Sequence, residues 1–159
     1  MTCRRQGGGF TLVEIMIVVA IIALLCAIAI PAFIQYRKDA QDSLYLSELR
    51  VMKDAFKTYV LKTGAYPPEV ASGICPSGMT NYFPELDWSK PAPIGGSWDW
   101  DAGVFGVTGA VSVVGPLRTA QEMTRIDSVI DDGNLMSGSF RLGGGAMAVG
   151  SARYMFVIE

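Results

Sequence analysis

The sequence predicts an α+β protein in which one long N-terminal helix packs against a small antiparallel sheet accompanied by a short extra helix. Three patterns carry that prediction. Apolar residues run from Gly7 to Ile34 with a single charge among them, and a helical stripe then continues to Thr63. Short segments rich in β-branched and aromatic residues, separated by glycine and proline, fill the C-terminal half. Between them, Thr119 to Gly133 carries both a helix start signal and a helix stop signal.

The first element is long enough to cross a bilayer. A spanning helix takes about 20 mostly apolar residues, and Ile15 to Ile34 provides them without a charged side chain. Glu14 sits immediately ahead of that run. An ionisable group at the edge of a spanning helix is costly unless it reaches the headgroups, pairs or neutralises, so Glu14 reads either as a headgroup-level residue or as a functional one with a partner. Upstream of it lie Arg4, Arg5, Gln6 and the run Gly7, Gly8, Gly9, which ends at Phe10.

The segment GFTLVE followed by a long apolar helix resembles the N-terminus of type IV pilins and of type II secretion pseudopilins. The resemblance rests on the basic leader, the Gly-Phe junction, the glutamate and the uninterrupted helix taken together. It implies that a prepilin peptidase cuts between Gly9 and Phe10 and methylates the new Phe10 amine, and that Glu14 serves filament assembly. Pro31 falls where many members place a helix-kinking proline. The implied organisation is a leader over 1–9, a transmembrane half-helix over 10–34, an amphipathic half-helix over 35–63 and a periplasmic pilin-like domain over 64–159.

Elementary electrostatics gives the same residues a role. With the leader gone, Glu14 lies one helical turn from the free amine of Phe10, and a carboxylate at a helix N-terminus is favoured by the macrodipole. Inside a bilayer the larger gain comes from pairing Glu14 with the Phe10 amine of a neighbouring subunit, because low dielectric penalises either charge alone. Other export signals fit less well. Ala27-Ile28-Ala29 is an A-x-A pattern, but it lies at the far end of a run longer than a secretory h-region and interrupted by Glu14. A lipoprotein signal ending at Cys26 is disfavoured by bulky Leu24 and Leu25, and the glycines after Arg4 and Arg5 do not continue a twin-arginine motif.

Composition fits one anchor plus one small domain. The chain has 159 residues, with 13 basic and 15 acidic side chains, so no nucleic-acid partner is expected. Arg4 and Arg5 argue for a cytoplasmic N-terminus, although Arg37 and Lys38 beyond the span weaken the asymmetry. Cys3 belongs to the leader and Cys26 to the span, which leaves Cys75 alone in the exported part. Many adhesive type IV pilins close their C-terminal region with a disulfide, so this count leans toward the pseudopilin branch.

The later elements follow in order. Tyr45, Leu49, Met52, Phe56 and Tyr59 recur at steps of four and three, which predicts an amphipathic helix on a core, with Gly64 as its stop. Residues 64–95 read as a loop that wraps the helix and packs through Ile74, Met79, Tyr82, Phe83, Leu86 and Trp88. Trp98-Asp99-Trp100-Asp101 alternates as a half-buried strand does, a turn at Ala102-Gly103 leads into Val104 to Val107, and Val111 to Val114 is a further β-type run. Thr119 and Glu122 are spaced as a capping box, Met123, Ile126 and Ile130 form one apolar face, and Gly133 ends the helix. Ser139 to Leu142 and Tyr154 to Ile158 read as closing strands joined by a loose Gly143-Gly144-Gly145 connection.

Little points to chemistry. The chain has no histidine, which removes imidazole triads and the usual zinc sites, and no catalytic residue is expected. Asp131, Asp132 and Asn134 could ligate calcium, which some major pseudopilins bind. They lack the alternating ligands of an EF-hand loop and read as an ordinary turn, so neither metal nor cofactor is expected. Trp98 and Trp100 on one strand face read as core cover, with a ligand platform as the alternative.

The expected function is therefore structural: a subunit of a type II secretion pseudopilus, polymerised from the inner membrane to drive protein export. The implied partners are the prepilin peptidase, identical and related subunits, membrane lipid, and an inner-membrane assembly platform with a cytoplasmic ATPase. A type IV pilus subunit, major or minor, and a membrane-tethered periplasmic binding module are the alternatives.

Overall fold

The computed structural model describes residues 9–84, 86–144 and 148–158. The leader up to Gly8, with Arg4 and Arg5, and Gly145 of the glycine connection lie outside the described residues. The chain forms two compact units, Met1–Asp39 and Ala40–Glu159. Helix α1 (Leu12–Thr63) begins in the first and ends in the second.

In the first unit, α1 presents apolar side chains that are all exposed. By length and composition this helix can cross a membrane. It continues through Pro31, whose ring nitrogen has no hydrogen to give the Ala27 carbonyl.

The second unit is a four-stranded antiparallel sheet with helices on one face. Its strands are β1 (Ser97–Ala102), β2 (Gly109–Val114), β3 (Phe140–Gly144) and β4 (Arg153–Val157), in the order β1-β2-β4-β3. Helix α2 (Ala120–Ile130) connects the two hairpin halves. Register places Trp98 opposite Val113 and Trp100 opposite Val111, and on the other side of β2 it places Tyr154 opposite Val113 and Phe156 opposite Val111. These six side chains share the inner face and are buried.

The helical stripe meets that face ring on ring. Tyr45 stacks on Trp98 with centroids 5.4 Å apart, and Phe56 stacks on Trp100 at 3.8 Å. Leu49 and Met52 are buried between them in sequence, while Tyr59 is half-buried against the Tyr82 ring. Burial of these large aromatics against the helix adds apolar area and ring–ring contacts to the core of the second unit. Trp98 and Trp100 are therefore part of the core, and the ligand-platform alternative has no exposed rings to use.

The segment between α1 and β1 packs as expected through Met79, Phe83 and Trp88, with Tyr82 and Leu86 partly buried; Ile74 instead faces solvent. It also covers the edge of β1. The Gly73 N–H and the Ser72 hydroxyl both reach the Trp98 carbonyl, and the Ala102 N–H donates to Glu69 at 2.5 Å. Main-chain groups that would otherwise recruit another strand are thereby occupied. Gly96 is required at the entry to β1, because a Cβ there would strike the backbone of Val114, Gly115 and Pro116.

Three local expectations differ from the structure. Val104 to Val107 forms the turn between β1 and β2, with Phe105 at φ +53°, and the strand starts only at Gly109. Helix α2 stops at Ile130 with Asp131 as its C-cap, two residues before Gly133. Gly143 and Gly144 belong to β3, which is irregular between Leu142 and Gly144, and the Met155 side chain fills the space a Cβ at Gly143 would need.

The outer face of the sheet is also covered. Asp99 and Asp101 point away from the helix yet are buried, and Arg153 on β4 holds both: its Nη1 lies 2.6 Å from Asp99 and 2.5 Å from Asp101. The Ser112 hydroxyl donates to Asp101 as well. Burial nevertheless pushes the Asp99 carboxyl above its usual range. Val107, Ala110 and Met155 form a small apolar cluster beside this network.

Candidate assembly site at the helix start

The sequence-predicted site residues gather at the first turn of α1. Gly9, Phe10 and Thr11 precede the helix, and a Cβ on Gly9 would meet nothing within 4 Å. Phe10 is exposed, as is Glu14. Thr11 acts as the N-cap: the Glu14 N–H donates to its hydroxyl at 3.3 Å, and the Glu14 carboxylate accepts from the Thr11 N–H at 3.5 Å. The first backbone helical bond runs from the Ile15 N–H to the Thr11 carbonyl at 3.3 Å.

This reciprocal pair is a capping box, and it satisfies two of the helix's otherwise orphaned donors. Thr11 was not among the residues singled out from sequence, although Thr11-Leu12-Val13-Glu14 has the same spacing that marks Thr119 and Glu122 at the start of α2. The second box is tighter, with the Thr119 N–H 2.8 Å from Glu122. The geometry gives Glu14 two uses. It fastens the helix start, and its long, weak bond to Thr11 leaves the carboxylate available to a stronger cationic donor. Pro31 lies 17 residues further along the same helix, away from this cluster.

Elsewhere the acidic groups are structural or clustered. Asp99 and Asp101 are engaged by Arg153 rather than by an open cleft. Arg118 binds Asp42 at 2.9 Å and Gln41 at 3.0 Å, which ties the approach to α2 to α1 within the second unit. Asp127, Asp131 and Asp132 form the one acidic group among the described residues arranged to hold a metal ion. Cys26 and Cys75 are free thiols, and burial pushes the Cys75 thiol up.

A family described as "Prokaryotic N-terminal methylation motif" matches residues 4–30, the stretch that contains Gly9, Phe10 and Glu14. The fold is similar to the structure of the major type IV pilin PilA1 from Clostridium difficile, with a TM-score of 0.53 and 16% identity over 75% of this chain and 94% of that one. The fold is pilin-like. Among curated relatives of this pilin-like protein, the type IV major fimbrial protein FimA of Dichelobacter nodosus is 53% identical over 53 residues, which is 33% of this chain and 34% of the relative. The type IV major pilin protein PilE1 of Neisseria gonorrhoeae is 39% identical over 66 residues, 42% of this chain and 31% of the relative. The type II secretion system core protein G of Pseudomonas aeruginosa is 36% identical over 64 residues, 40% of this chain and 45% of the relative. The pilin-like chain thus spans between about a third and a half of the length of these relatives.

Proposed function

We propose that this pilin-like protein is a structural filament subunit, and specifically a subunit of a type II secretion pseudopilus. The observation that carries the reading is the exposed helix start, where Gly9 and Phe10 stand ahead of an apolar helix and Glu14 occupies its first turn. A prepilin peptidase cuts between Gly9 and Phe10 and methylates the Phe10 amine. The anchor over 10–34 then holds the subunit in the inner membrane, single-pass, with the N-terminus cytoplasmic and the domain over 64–159 periplasmic.

During assembly the Phe10 amine of one subunit replaces the Thr11 N–H as the partner of Glu14 on the next. The exchange is favourable because an ammonium bonds a carboxylate more strongly than a neutral amide does, most of all in a low-dielectric setting. Pro31 leaves one carbonyl unpaired and gives the anchor a point at which to bend as helices pack. An inner-membrane platform and a cytoplasmic ATPase supply the work, and membrane lipid surrounds the waiting subunit. No residue of this chain is assigned a catalytic role.

The pseudopilus is preferred because the exported part has Cys75 alone and so no intramolecular disulfide. A type IV pilus subunit, major or minor, is the second reading, supported by the likeness to FimA and PilE1. Long surface fibres containing this chain would select it. The test of the shared mechanism is twofold. The mass of the purified mature protein is expected to start at N-methylated Phe10, and Glu14→Ala is expected to insert in the membrane yet fail to polymerise. Retention of residues 1–9 in functional material, or full polymerisation of the variant, overturns the reading.

A further inference from the structure

Glu48 is a half-buried carboxylate on α1 without a counterpart. Its neighbours one turn away on the helix are Leu44, Tyr45, Val51 and Met52, none of them charged. Among the described residues no hydrogen bond or ion pair reaches it, and burial alone pushes its carboxyl above the usual range. Carboxylates drawn out of water are ordinarily paired or hydrogen-bonded. The side chain stands in a groove between α1 and the segment that follows it. A cavity of about 410 Å3 lies between Leu44, Glu48 and Val51 on the helix and Tyr82, Phe83 and Leu86 on the segment. A second, of about 240 Å3, shares Leu44, Glu48 and Leu86 with the first and extends to Pro91 and Pro93. Glu48 therefore lies where two lobes of one groove meet. Leu44 and Val51 are exposed, so the helix wall is apolar and open to a partner. Lys90 lines the smaller lobe but is held by Asp87 at 3.5 Å, and Glu85 lies outside the described residues.

We propose that this groove takes an extended segment of a different polypeptide, one that presents a lysine side chain between apolar residues. Charge decides the class of ligand. A primary ammonium gives Glu48 the charge-assisted hydrogen bond it lacks, and such bonds are about twice as strong as neutral ones. The aliphatic stem of the lysine lies against Leu44, Val51 and Leu86, which keeps apolar surface on apolar surface while the charge reaches the carboxylate. A lobe on each side of Glu48 holds the residues before and after the lysine, which a lone amine would leave unfilled. An anionic ligand would set a second negative charge beside a carboxylate already short of water, so it is disfavoured. The chain's own lysines do not answer the description. Lys38, Lys53, Lys57 and Lys62 stand in α1, and Lys90 is paired with Asp87, so a second copy offers no extended segment of this kind. The inference goes beyond the filament reading and does not rest on it, since the groove lies wholly within the second unit.

The test titrates the full chain in zwitterionic detergent micelles with a short blocked peptide, a lysine flanked on each side by alanine and leucine. The same peptide with norleucine in place of lysine is titrated alongside, both by calorimetry. One lysine peptide is expected to bind per chain, about tenfold more tightly than the norleucine peptide. Glu48→Gln is expected to erase that difference while unfolding at the parent's temperature. Val51→Lys sets a cation one turn from Glu48 and is expected to weaken the lysine peptide by a similar factor. Asp54→Asn, an exposed acidic position on the same helix outside the groove, is expected to bind as the parent does. The proposal is overturned if the two peptides bind alike, if Glu48→Gln keeps the preference for lysine, or if n-butylamine binds as tightly as the peptide. It is equally overturned if the peptide is shut out by a second copy of the chain, seen as a dimer that Val51→Lys dissociates.

Discussion

Replacing Arg153 with methionine tests the account of the outer sheet face. The substitution keeps much of the side-chain volume but leaves Asp99 and Asp101 without the guanidinium that holds them at 2.6 and 2.5 Å. Removing one partner of a buried charge network costs about 3–5 kcal/mol, and the ring contact of Arg153 with exposed Phe105 adds about 0.5 kcal/mol. For the unit Ala40–Glu159, an unfolding entropy of about 2.1 cal/mol/K per residue converts this loss to a fall of roughly 14–22 °C in Tm. The loss also depends on pH. Burial already holds the Asp99 carboxyl above its usual range, and loss of the Arg153 charge raises it further. The folded form then binds more protons than the unfolded one, so the penalty is full above the raised Asp99 value and fades as pH falls toward the unfolded value. Urea unfolding of the full chain in micelles, followed by tryptophan fluorescence, reads this directly, because Trp88, Trp98 and Trp100 are all buried in the second unit. The deficit is expected to be several-fold smaller at pH 4.5 than at pH 7.5. An equal deficit at both values, or one below about 1 kcal/mol at neutral pH, refutes the reasoning.

Phe56→Ala removes a fully buried ring stacked at 3.8 Å on Trp100 and is expected to cost about 3–5 kcal/mol by the same urea assay, whereas exposed Leu61→Ala is expected to be nearly neutral. Gly9→Leu is expected to stop maturation, and intact-mass measurement should then find the precursor alone; a protein starting at Phe10 in that variant counts against the assigned cut. Thr11→Ala is expected to fray the first turn of α1 by about 1 kcal/mol while leaving the Glu14 carboxylate free to pair between subunits, so filaments should still form.

Periodicity made the inner half of the domain readable. Tyr45, Leu49, Met52 and Phe56 announce a helix face, Trp98 and Trp100 announce a strand face, and the structure stacks one on the other. The outer face was illegible for a physical reason. Alternation marks Asp99 and Asp101 as solvent-facing, and nothing local to β1 reveals that Arg153 arrives from β4 to bury them. Asp127 was hidden in the same way, because it sits on the polar side of the α2 pattern and only tertiary structure covers it. Gly143 and Gly144 read as a loop because glycine carries no strand preference, while the side chain that claims the vacated space belongs to distant Met155. At the proposed assembly site, Glu14, Gly9 and Phe10 were singled out through the resemblance of GFTLVE to pilin N-termini, and the structure places all three at the start of α1. Thr11 escaped because the glutamate already had an explanation.

The bond joining Gly9 to Phe10 lies upstream of the first helical hydrogen bond, the one from Ile15 to Thr11. A hydrolase takes its substrate as an extended strand, and peptide links wound into a helix are poor prey. The cut proposed here is reachable without unwinding a single turn, so the anchor can be fully formed before the blade arrives. On the proposed function, folding and trimming would therefore need no particular order, and the same short stretch of chain would serve first as bait and afterwards as the charged tip of the finished rod.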